Sequence, residues 1–99
     1  MFEILNPVTI TPRAAEEIRK IKAIKNIPSD YGLRVGVKGG GCGFSLLIGF
    51  DTQKESDHVF SISDITVYID KKHTMFIIGK IVDYHEGESG QGFVFVDGT

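Results

Sequence analysis

The chain changes its hydrophobic period once. Ala14, Ile18, Ile21 and Ile24 recur three or four residues apart, the spacing that places side chains on one face of an α-helix. Beyond the turn-forming run Ser29-Asp30-Tyr31-Gly32 the period becomes two. Leu33, Val35 and Val37 alternate with Arg34, Gly36 and Lys38, and Phe44, Leu46, Ile48 and Phe50 alternate with Ser45, Leu47 and Gly49. Successive strand residues point to opposite faces, so each run predicts a strand with one apolar side, and the two predict a hairpin-like pair.

The helix has a start signal in Thr11-Pro12. Threonine caps the first turn, and proline at the first helical position loses no hydrogen bond. Glu16 and Glu17 come early and the lysines late, as the helix dipole prefers. Pro28 is predicted to stop the helix. Further short strands are predicted over residues 8–10, 58–62, 65–69, 79–84 and 93–96. Ser63-Asp64 joins the strands at 58–62 and 65–69. Asp70-Lys71-Lys72-His73 opens a short segment, one helical turn or so, running to Ile78. Residues 51–57 and 86–91 are polar and predict connections. The fold class expected is mainly β (α+β): one N-terminal helix, a short second helical segment and about six or seven short strands in a compact β-sandwich or open barrel. Residues 1–99 are expected to form a single domain.

Composition narrows the function. The formal charge of −2 comes from 11 basic and 13 acidic residues, too even a balance for a nucleic-acid footprint. Arg19, Lys20, Lys22 and Lys25 do cluster. They read as the solvated last turns of a helix, with a polyanion site as the less favoured reading. A lone cysteine excludes an intramolecular disulfide and fits a reducing compartment. The first residues lack a secretory signal pattern, and no run approaches the roughly 18 apolar residues of a membrane span. A cytoplasmic protein with neither nucleic-acid nor membrane partners is expected.

The richest stretch for chemistry is Lys38-Gly39-Gly40-Gly41-Cys42-Gly43-Phe44. Glycines let a backbone approach a ligand closely, and they leave a thiol little shielded. A phosphate cradle would need a helix and a Lys-Ser or Lys-Thr pair after the glycines; an alternating strand follows instead. A nucleophilic cysteine would need His58, His73 or His85 beside it as base. A metal-binding thiolate would need partners from elsewhere, including another subunit. The plainest alternative is a tight loop in which a small thiol fills a gap. His58 and His73 read as surface imidazoles. His85-Glu86 is richer in donors, since imidazole and carboxylate suit iron or zinc. Adjacent strand residues face opposite ways, however, which makes that pair poor joint ligands.

The order of these segments resembles the HesB/IscA family of A-type iron–sulfur carriers. The likeness runs from Thr9-Ile10-Thr11-Pro12-Arg13-Ala14-Ala15 through Gly32–Phe44 to Val67-Tyr68-Ile69-Asp70, Val82-Asp83-Tyr84 and Gly92-Phe93-Val94-Phe95. The resemblance implies a HesB-like sandwich, assembled as dimers or higher homo-oligomers. It implies a carrier, not an enzyme, that receives iron or an iron–sulfur cluster from the assembly machinery and passes it to apo-protein clients. Family members use one cysteine after the glycine-rich strand and two in a C-terminal Cys-Gly-Cys motif. Cys42 matches the first, with Gly41 and Gly43 framing it at the cofactor. The sequence ends Val96-Asp97-Gly98-Thr99 with no counterpart of the other two. It also lacks one residue of the family's Gly-Cys-Ser-Gly pattern. The expectation is a divergent member with a reduced ligand set: Cys42 as sole thiolate, with His85 and Glu86 as candidate metal co-ligands. The alternative is a member that binds no metal and acts as a protein-interaction or redox-thiol module.

Overall fold

The computed structural model describes residues 7–40, 43–88 and 90–97. Their order is β1 (Val8–Ile10), α1 (Pro12–Ile24), β2 (Gly32–Gly40), β3 (Gly43–Asp51), β4 (Asp57–Ile62), β5 (Ile65–Asp70), α2 (Lys71–Ile77), β6 (Lys80–Gly87) and β7 (Gly90–Asp97). Among the described residues these make a three-stranded sheet, β1-β6-β7, and a four-stranded sheet, β3-β2-β5-β4.

The two sheets share one core. Val8, Ile10 and Val82 come from the first sheet; Leu33, Val35, Val67 and Ile69 come from the second. On β2, Leu33, Val35 and Val37 are buried as the period-two pattern predicts, and Gly32 and Gly36 on the opposite face are covered as well. On β3, Leu46, Ile48 and Phe50 pack against that core while Leu47 lies outward. Ala14, Ala15 and Ile18 of α1 close the core from the side.

Local chemistry explains most boundaries. Thr11 is extended and its hydroxyl accepts from the Ala14 amide at 3.1 Å, as a helix cap does. The far end of α1 differs from expectation. The helix stops at Ile24, and Asn26 takes a left-handed φ of 51°. The amides of Asn26 and Ile27 then donate to the carbonyls of Ala23 and Lys22. This is a Schellman closure with asparagine in the left-handed position. Asn26, not Pro28, therefore ends the helix. Ile24 is also corrected: it is 79% exposed, off the helix face that Ala14, Ala15 and Ile18 bury.

β4 and β5 are joined by Ser63 and Asp64, with φ of 53° and 63°, between the paired residues Ile62 and Ile65. Positive φ at both turn residues matches the right-handed twist of the flanking strands. The largest difference is the second polar segment, 86–91. Its polar composition predicts a connection, yet β6 and β7 pair out to Gly87 opposite Gly90. A solvent-facing ribbon needs only backbone pairing, so its side chains carry no apolar alternation there.

Candidate functional site

β2 and β3 form a hairpin whose register places Gly40 opposite Gly43. Two of the residues expected at a cofactor, Gly41 and Cys42, fall between them and lie outside the described residues. Gly43 is the first residue of β3.

The other two candidates, His85 and Glu86, sit next to one another on β6. Each is already engaged. His85 Nε2 lies 3.0 Å from Asp83 Oδ2. Asp83 is itself held by two donors on its other oxygen, the Thr11 hydroxyl and the Tyr84 amide, both at 2.8 Å. The Thr11 hydroxyl, then the Tyr84 amide and His85, hold the Asp83 carboxyl below its ordinary pKa. Glu86 pairs instead with Arg13 of α1. The Arg13 guanidinium stands 5.4 Å from the Tyr84 ring centre, and Tyr84 meets Phe93 edge-on at 5.0 Å. Asp83 and His85 thus occupy one face of β6; Tyr84 and Glu86 occupy the other. Extended backbone keeps one ion from meeting both His85 and Glu86 directly. Among the described residues no three His, Cys, Asp or Glu side chains gather as a metal would require.

A second polar cluster escaped the sequence reading. Arg34, on the outer side of β2, donates two bonds to Asp57 at 2.7 and 2.6 Å, one to Asp51 at 2.7 Å and one to the Thr52 carbonyl. The Asp57 side chain is fully buried and also accepts from the Lys54 amide. Hydrogen bonds from Arg34 lower the pKa of Asp57 and Asp51, and Asp57 raises that of Arg34. Tyr68 lies beneath this clasp, its ring centre 5.9 Å from the guanidinium. The ring also covers Gly32, where a Cβ would come within 2.6 Å of it. Beside it His73 of α2 lies over Gly36, where a Cβ would be 2.4 Å from Nδ1. His73 is therefore a half-buried packing residue, not a surface imidazole. Alternating arginine and glycine opposite the apolar face of β2 was the available signal.

This arrangement of two sheets, a capped first helix and a glycine-rich hairpin has known counterparts. Residues 6–99 match the family model described as iron-sulphur cluster biosynthesis. The chain belongs to that family, the HesB/IscA family. A curated relative in it is the uncharacterized protein SufA of Bacillus subtilis (strain 168), 44% identical over 90 residues, covering 89% of this chain and 74% of that protein. Among solved structures, Escherichia coli SufA, involved in biosynthesis of iron–sulfur clusters, superposes with a TM-score of 0.73 at 29% identity, covering 91% of this chain and 79% of that one. IscA with the [2Fe-2S] cluster superposes with a TM-score of 0.71 at 24% identity, covering 91% and 81%. The HesB/IscA fold is thus the architecture of this chain. No helix among the described residues is long and apolar enough to cross a membrane.

Proposed function

We propose that this family member is a carrier in iron–sulfur cluster assembly, which holds iron or a cluster as cargo through Cys42. The observation behind this reading is the family match over residues 6–99, which includes the glycine-framed cysteine. The carrier acts as one domain over residues 1–99, in the cytoplasm, and performs no catalysis of its own. Its partners are the assembly machinery that supplies the cargo and the apo-proteins that take it.

The donor chemistry sets the form of the site. Clusters generally take four protein thiolates, with histidine or carboxylate as exceptions. Cys42 is the sole cysteine of this sequence. A homodimer therefore brings two thiolates together, and His85, Glu86 or an external thiol completes the set. His85 and Glu86 would serve as alternatives to one another, since they lie on opposite faces of β6. A site with few protein ligands suits a donor: each thiolate of a client that replaces one of the carrier's moves the cargo without redox chemistry.

Anaerobic reconstitution with ferrous iron and sulfide tests this, on wild type and Cys42→Ser together. Visible absorption with iron and sulfide analysis is expected to show bound cargo in the wild type and none in the variant. Equal iron in both proteins removes Cys42 from the site. No iron in either favours the metal-free interaction module.

A further inference from the structure

We propose that the cleft between the end of α1 and the β3 side of the sandwich binds an aliphatic monocarboxylate, its chain in the cleft and its carboxylate at Lys25. Such binding needs no metal at Cys42. The cleft has a volume of about 320 Å³ and is walled by Ile18 and Ile21 of α1, Ile48 and Phe50 of β3, and Phe93 of β7, with Lys25 among the lining residues. That volume falls in the range of small-ligand sites, about 300–1,000 Å³.

Two observations select the ligand class. The first is the lining itself. Its large side chains are apolar, so a sugar or nucleotide would bury polar groups with nothing to pair them, which costs free energy. An alkyl chain gains from the same walls with each CH₂ it buries. The second is the state of the basic cluster on α1. Arg19 donates to the Ser63 carbonyl at 2.6 Å and Lys22 to the Tyr31 carbonyl at 3.0 Å, while Lys20 pairs with Glu17 at 3.4 Å. The Lys25 ammonium has no partner among the described residues, and it is the member of the cluster that lines the cleft. One uncompensated cation at an apolar cleft calls for one anionic group on an apolar ligand. The helix end does not oppose this strongly. The carbonyls of Ile21, Lys22 and Ala23 are already taken by the amides of Lys25, Ile27 and Asn26, which blunts the negative pole.

The test is an amide-shift NMR titration of the full chain with octanoate, octanol and acetate. Octanoate is expected to shift Ile18, Ile48 and Phe93 saturably; octanol to bind more weakly at the same residues; acetate to leave them unmoved. Lys25→Gln, an exposed change that spares the fold, should weaken octanoate about threefold and leave octanol unaffected, the scale of an exposed charge contact. Ile21→Trp should block both by filling the cleft. Octanoate shifts confined to other residues, no saturable shift, or octanoate binding unchanged in Lys25→Gln would each overturn the proposal.

Discussion

Two polar clusters tie distant parts of this chain together, and they do so on different terms. The Arg34 clasp joins β2 to the end of β3 and, through a fully buried carboxylate, to the start of β4. The β6 cluster joins Thr11 and Arg13 to Asp83, His85 and Glu86 with side chains that stay largely in water: Arg13 is 47% exposed, Glu86 53% and His85 61%. A buried charge left without its partner is costly, whereas an exposed pair contributes little. The first cluster therefore behaves as a structural fastening. The second leaves its imidazole and carboxylate available for other chemistry at small cost to the fold, which suits the candidate co-ligands placed there.

The sharpest way to break this comparison is at Asp57. Asp57→Ala removes two hydrogen bonds from the Arg34 guanidinium, which keeps Asp51 and the Thr52 carbonyl; a loss of about 2 kcal/mol is expected. Urea unfolding followed by circular dichroism reads it directly. A loss near zero would make the two clusters equivalent.

Acid should weaken the Arg34 clasp next, and Asp83 of the β6 cluster, also held below its ordinary pKa, adds a share to the same limb. Asp57 and Asp51 have folded pKa values below 3.8, with Arg34 as the main cause. Their contribution is full above about pH 5 and is lost as the pH falls through the ordinary carboxylate range toward the lowered folded values. Stability measured from pH 6 to pH 2 should fall on this limb. Asp57→Asn should flatten this limb.

Within the β6 cluster, Thr11→Ala removes a helix cap and one hydrogen bond to Asp83. A cost of about 1 kcal/mol is expected, seen as a lower thermal midpoint. Glu86→Gln should be the mildest change, about 0.3 kcal/mol or less, since it breaks one exposed ion pair. If the Glu86 variant costs as much as the Thr11 variant, the ribbon is held more tightly than its exposure implies.

Residue order alone determined a good deal. The change of hydrophobic period marked α1 and the β2–β3 pair, because both are fixed by side-chain spacing along a regular backbone. The cap at Thr11-Pro12 and the turn at Ser63-Asp64 were legible for the same reason: the partners lie within a few residues. The family pattern was legible because its motifs are local. Tertiary structure decided the rest. Arg34 meets Asp51 and Asp57 only after β2, β3 and β4 are assembled. Thr11 meets Asp83 across 72 positions, and His73 finds Gly36 only when α2 folds back over β2. The length of the β6–β7 ribbon was hidden because its tip is held by backbone pairing, which leaves no trace in side-chain alternation. Ile24 belonged to the apolar stripe by spacing, yet the packing of α1 buries the face of Ala14, Ala15 and Ile18 and leaves Ile24 in water.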